Sequence, residues 1–288
     1  MVIIWLGLEK LFLELLQLLY QSFRVYSKKK SKYLTNAIEI FSLDGPVLKG
    51  GLLSIPSGTS DLPNFTNWIE ACKKQNVEIF EGAYNNLPDE NSEKAAKAVV
   101  DMVSNLDKED VVIVLISGGG SALLSMTIPG LKLDDKLDVI KLLSRAGADI
   151  VELNTVRKAL SFVKGGKLSQ IIAPAQVISL VISDIIGDPL NMIASGPTVQ
   201  CNDRGEPLKI LEKYKLLDKI PESVLNVLKH VAVDSSQRKV IDNTNNFLIG
   251  TNLIPLNFIH ENFRKQFNDC FMIGRRIKVH LFRISNDS

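Results

Sequence analysis

The sequence predicts an α/β protein built on a mostly parallel, twisted sheet. Two runs carry that prediction. Val111–Ile116 (VVIVLI) and Ala175–Ile182 (AQVISLVI) are almost unbroken apolar stretches, the pattern of strands buried on both faces. Helical and strand-like segments alternate around them, the rhythm of βαβ units. Each run also gives way at once to a polar bend, Ser117-Gly118-Gly119-Gly120-Ser121 after the first and Ser183 to Asp188 after the second. In open α/β sheets ligands bind beyond the carboxyl ends of the strands, so these bends mark the active edge.

The opening segment reads as an apolar helix: Ile3, Ile4, Trp5, Leu6, Leu8, Leu11, Phe12, Leu13, Leu15, Leu16, Leu18 and Leu19 precede Lys28-Lys29-Lys30. Its length raises a membrane reading. Glu9, Lys10 and Glu14 argue against it, since each charge at mid-bilayer costs about 2.5–3.5 kcal/mol. With no basic leader and no small-residue cleavage site, the expectation is a helix packed on the body, or a non-native start to the chain. Asn36 to Leu43 reads as a short helix closed by Asp44-Gly45-Pro46, and Gly51–Ile55 as a buried strand ending in Pro56-Ser57-Gly58. Phe65 to Gln75 is an amphipathic helix carrying Trp68, Ile69 and Cys72, with Val77–Phe80 a second strand. Pro88-Asp89-Glu90-Asn91-Ser92 opens a long helix to about Leu106, its acidic first turn favoured by the helix dipole.

Beyond the glycine run, where Ala122-Leu123-Leu124 can begin a helix, Leu133–Ala148 is helical. Ile150–Val163 is another helix, bearing Asn154, Arg157 and Lys158, before Gly165-Gly166-Lys167 interrupts it. Helices near Glu206–Leu216 and Ser223–Val231 follow, Phe247–Gly250 starts a strand, and the final residues lack clear periodicity apart from a stray strand near Ile277–Ile284.

The 288 residues suffice for one large domain or two modest ones, and 45% hydrophobic with 23% charged content is ordinary for a globular protein. A net charge of +2, without a basic stripe interleaved with aromatics, argues against nucleic-acid binding. Cys72, Cys201 and Cys270 are too sparse for a zinc site or disulfide framework and fit a reducing compartment; His230, His260 and His280 show no ligand spacing.

The chemistry gathers in the polar loops. Ser117–Ser121 can wrap an anion with bare N–H groups, although it matches neither the P-loop nor the dinucleotide fingerprint; the alternative is a tight strand-to-helix turn. Lys164-Gly165-Gly166-Lys167 joins two cations to a flexible backbone and suits phosphate, the alternative being a helix C-cap with solvated lysines. Arg157 can clamp a carboxylate or phosphate through two hydrogen bonds, or be a surface arginine. Asp184 carries most weight, because a carboxylate directly after an apolar strand has no packing role. With Asp188 it can hold Mg²⁺ or accept a hydroxyl proton, or it caps a turn. Neither Ser121 nor Ser183 sits in a nucleophile elbow, and no histidine lies nearby in sequence. Anion cradle, cations and carboxylates on one edge point to phosphoryl transfer or phosphate-ester chemistry.

At these loops the chain closely resembles the N-terminal domain of glycerate kinases of the MOFRL-associated (DUF4147) type. The matching words are Asn85-Asn86-Leu87-Pro88-Asp89, Leu115 to Leu124, Glu152 to Ser161, Lys164 to Leu168, Ser183 to Pro189, and Ile193 to Val199. The resemblance implies a three-layer α/β/α sandwich with a largely parallel, Rossmann-like sheet. It implies ATP- and Mg²⁺-dependent phosphorylation of D-glycerate in a cleft against a second, C-terminal domain. On that basis Asp184, Lys164 and Arg157 are candidate catalytic residues, with Asp184 the candidate Mg²⁺ ligand. Ser117, Gly118, Gly119, Gly120, Ser121, Asn154, Lys158, Gly165, Gly166, Lys167, Asp188, Ser195, Gly196 and Thr198 are candidates for binding substrate and phosphate.

The chain departs from the family at both ends. The family's opening strand and Gly-Lys-Ala turn are replaced by the leucine-rich segment, and its C-terminal domain is not found in the residues that follow. The expected organisation is an atypical segment over residues 1–35, the kinase domain over 36–250 and an atypical tail over 251–288. The expected setting is the cytoplasm, with D-glycerate and ATP as partners, no nucleic acid, no membrane, and a homodimer left open. Two alternatives stand beside the kinase: an inactive fragment with a binding or regulatory role, and a phosphate-ester hydrolase.

Overall fold

A computed structural model describes residues 2–6, 49–62, 66–74, 76–117, 119–183, 185–200, 206–234 and 242–251. Its frame is a six-stranded sheet, parallel throughout. The strands are β1 (Val2–Leu6), β2 (Gly50–Pro56), β3 (Val77–Gly82), β4 (Val111–Ile116), β5 (Gln176–Ile182) and β6 (Thr244–Gly250). Their spatial order is β3-β2-β1-β4-β5-β6, the doubly wound order in which the sheet reverses direction between β1 and β4.

The first strand corrects the sequence reading. Val2–Leu6 does not begin a helix: it pairs with β2 on one side, Ile3 opposite Gly51, and with β4 on the other, Ile3 opposite Ile113. A five-residue apolar run fits either a buried helix turn or a central strand, and periodicity alone does not separate them. The remainder of the leucine-rich segment, the Asn36–Leu43 helix and the expected strand near Ile277–Ile284 lie outside the described residues.

Alternation along the strands feeds both faces of the sheet. Leu52, Val112, Val114, Ile116, Val177 and Val181 share one face. There they pack against Ala96, Val99 and Val103 of α2 (Glu90–Val103) and against Leu168 and Ile172 of α6 (Lys167–Ile172). Leu53, Ile55, Ile113 and Leu115 face the opposite way, onto Cys72 and Ile69 of α1 (Thr66–Lys74). The chain is therefore an α/β sandwich with helices on both faces of a parallel sheet. A third core, away from the sheet, joins α4 (Leu133–Arg145), α5 (Ile150–Ala159), α7 (Pro207–Lys213) and α8 (Glu222–Asp234) through Val139, Leu143, Val156, Leu211 and Leu228.

Two local expectations are revised. The helix after the glycine run is the single turn α3 (Gly120–Leu123), which ends rather than begins at Ala122–Leu124. The helix expected over Ile150–Val163 stops at Ala159, and a further helix, α6, starts at Lys167. Gly166 caps α6 at φ +81°, and a Cβ there would lie 2.7 Å from the Gln200 Cα, so no other residue fits. No helix among the described residues is long and apolar enough to cross a membrane.

Candidate functional site at the carboxyl edge of the sheet

Because every strand is parallel, the loops leaving β4 and β5 emerge on one edge, next to the switch point between β1 and β4. Ser117, buried, leaves β4 directly, and its carbonyl accepts the Gly120 N–H at 3.3 Å. Gly119 caps α3, and its carbonyl accepts the Ala122 N–H at 3.0 Å. One N–H group of the expected anion cradle, that of Gly120, thus closes the turn itself. Gly118 and Asp184 lie outside the described residues.

Three further segments converge on this turn. Ser121 Oγ lies 2.9 Å from Ser195 Oγ, and the Ser195 hydroxyl also reaches Asn154 Oδ1 at 3.4 Å. The same Asn154 oxygen accepts from Arg157 Nη1 at 3.2 Å, while Asn154 Nδ2 points to Met192 Sδ at 3.7 Å. One chain of polar contacts therefore runs from the glycine turn through the Ser195 segment to α5. Ala194, Ser195 and Gly196 all hold positive φ, at +51°, +62° and +58°; such strain persists only where surrounding contacts enforce it. Here they do, since Gly165 N donates to Ser195 O at 3.1 Å, Gly166 N to Gly196 O at 2.8 Å, and Leu168 N to Pro197 O at 3.2 Å.

The lysines are placed otherwise than mobile point charges or solvated helix caps would be. Lys164 is 2% exposed, and its ammonium donates to Ser121 O at 2.7 Å and Leu124 O at 2.8 Å. Burial, followed by the charges of Lys136 and Arg157, drives its pKa well below the usual lysine range. Lys167 Nζ donates to Lys158 O at 2.9 Å and to Ser161 O, tying off the carboxyl end of α5. Lys158 lays its stem over Gly165. Both loop lysines thus grip main-chain carbonyls.

Thr198 sits away from the edge. Its hydroxyl lies 3.0 Å from Ser179 Oγ, at the middle of β5, and donates to Asn246 Oδ1 of β6 at 2.7 Å, pinning the segment to the sheet face. Asp188 is half-buried in the loop after β5, at φ +54°. No cluster of three acidic, histidine or cysteine side chains able to hold a metal occurs among the described residues.

Sequence reasoning missed Lys136. On α4 it is 3% exposed and donates to Ser125 Oγ at 3.1 Å. Burial brings its ammonium down to about 8, with Glu93 opposing and Arg157 reinforcing that fall. The available signal was positional: Lys136, Val139 and Leu143 share the helix stripe that faces the core. Half-buried Arg157 is also pulled downward by burial, though a guanidinium stays charged. Among the described residues, no ion pair involves Lys136, Arg157 or Lys164. Three cations stand within one another's field near the carboxyl edge of the sheet, with no carboxylate bound to them among the described residues.

Residues 29–229 match the family profile of a domain of unknown function, DUF4147. A glycerate kinase of Danio rerio is 43% identical over 229 residues, covering 76% of this chain and 46% of that protein. A glycerate 2-kinase of Pyrococcus horikoshii is 42% identical over 172 residues, covering 58% of this chain and 39% of that protein. The crystal structure of a Thermotoga maritima glycerate kinase superposes with TM-score 0.67 at 29% identity, covering 92% of this chain and 55% of that one. The chain spans about half the length of the relatives it matches.

Proposed function

Since the chain belongs to the DUF4147 family, we propose that it serves ATP- and Mg²⁺-dependent phosphorylation of D-glycerate, in the cytoplasm. The observation carrying this reading is the convergence of Ser121, Ser195, Asn154 and Arg157 on one edge, with positive charge around them that no ion pair among the described residues answers. Arg157 holds an oxyanion of the bound substrates. Lys164 fixes the Ser121–Leu124 backbone from within, so that the turn meets the ligand in one conformation. Asp184, two residues beyond β5 in sequence, takes the proton of the glycerate hydroxyl as its oxygen attacks the γ-phosphorus of ATP, and ADP leaves. Mg²⁺ neutralises phosphate charge when bound. An Asp184 and Asp188 pair suits it, because this ion is commonly held by one or two carboxylates together with substrate phosphates. The glycerate 2-kinase relative favours the 2-hydroxyl as acceptor.

A coupled assay of the chain with ATP and D-glycerate tests the reading. Glycerate-dependent ADP release supports it, and identification of the product assigns the hydroxyl. Asp184→Asn should abolish turnover while leaving the fold intact, and near-normal turnover removes Asp184 from the reaction. A second reading is a binding or regulatory role without turnover. Ligand binding without ADP release identifies it.

A further inference from the structure

Lys136 lacks a structural reason to be a lysine. It occupies a core-facing helix position beside Val139 and Leu143, where an apolar side chain would pack without desolvation. Its one hydrogen bond goes to a neutral hydroxyl, Ser125 Oγ, on a fully buried residue. The carboxylate that it feels, Glu93 on α2, makes no ion pair with it; Glu93 Oε1 instead accepts from Thr127 Oγ1 at 3.0 Å. The other charged groups in its field, Arg157 on α5 and Lys164, are cations and repel it. A buried ammonium without a counterion is expensive.

Ser125 follows directly on Leu124, whose carbonyl Lys164 holds, and Lys164 also holds Ser121 of the glycine turn. Lys136 therefore lies behind the same turn that Arg157 reaches through Asn154 and Ser195. We infer that Lys136, with Ser125 and Arg157, forms a two-cation subsite for one oxyanion of the substrate, the bound anion being the counterion that the described residues do not supply. The inference rests on the kinase reading only for the identity of that anion. An arriving anion stabilises the protonated amine, so binding near pH 8, where Lys136 titrates, takes up a proton.

Titration calorimetry of the chain with D-glycerate and, separately, with inorganic phosphate tests this, near pH 8 in buffers of differing ionisation enthalpy. Proton uptake on binding is expected. Lys136→Met should abolish the uptake and weaken one or both anions about ten- to a hundredfold. Loss confined to D-glycerate assigns the subsite to a carboxylate, and loss confined to phosphate assigns it to a phosphoryl group. Unchanged affinity for both overturns the subsite. Should Lys136→Met not fold, the unmodified chain decides, because anion binding without proton uptake also overturns it. Absence of turnover with proton-linked anion binding intact removes the kinase reading and leaves the subsite standing.

Discussion

The two ends of α5 are treated oppositely. At its amino end Asp149 and Glu152 form a reciprocal capping box. Glu152 is then saturated: Lys213 Nζ lies 2.6 Å from one oxygen, and the other accepts from Tyr214 OH at 2.6 Å and from Asp149 N at 3.1 Å. Those donors, Lys213 foremost, hold its carboxyl down to about 2. A turn and a half further on, Arg157 has, among the described residues, only the amide oxygen of Asn154, and the buried ammonium groups of Lys136 and Lys164 stand in the same field. One end is a joint between helices, with each charge answered. The other keeps its charge unanswered among the described residues, and that withheld compensation is the ground for the proposed ligand site.

The contrast breaks most readily at Arg157. Arg157→Ala should cut turnover, or anion affinity in a non-catalytic chain, by roughly 10²-fold, with Arg157→Lys a poor rescue because the paired donors are lost. If steady-state kinetics or calorimetry shows no change, the arginine end is as structural as the other. Gly166→Ala probes the scaffold behind it. The +81° φ costs about 1–3 kcal/mol for a non-glycine residue, before the clash with Gln200. The melting temperature should drop by roughly 2–4 °C for each kcal/mol lost.

Lys136 sharpens the contrast through pH. Because the unfolded chain binds this proton more tightly than the folded one, the penalty is fully present below about pH 8. Stability should therefore climb as pH rises from about 8 towards 10.5. The full penalty is on the order of 3 kcal/mol, so Lys136→Met should be more stable at neutral pH in urea titrations and lose that alkaline rise. The smallest effect is expected at the satisfied end. Glu152→Gln should leave turnover unchanged and loosen α5 from α7. Glu152 stabilises the fold above 4.5 and loses that contribution as pH falls through about 2, so the variant should lack this part of the acid-unfolding limb.

Much of the frame could be read from residue order. Val111–Ile116 forms as expected, and Ala175–Ile182 is a strand but for its first residue, because unbroken apolar runs of that length have few other homes. Their shared edge followed from parallel pairing. Val2–Leu6 could not be read, since its neighbours in the sheet are remote in sequence and the leucines that follow it mimic a continuing helix. Lys164 and Lys167 showed as two cations beside flexible glycines; that both would clasp carbonyl oxygens depends on how the chain folds back on itself. Lys136 hid between Asp135 and Leu137, in a stretch that looks solvated until the α4 stripe is laid against the core.

The position of β1 has a consequence for assembly. Of the described strands, the first in the chain is the one through which β2–β3 and β4–β6 are joined. On a ribosome, Val2–Leu6 emerges long before Val111–Ile116 exists to flank it, so the sheet closes late and its seam is among the most non-local pairings in the molecule. A chain whose first strand fails to dock would expose β2 and β4 as two raw edges, each a template for pairing with other copies.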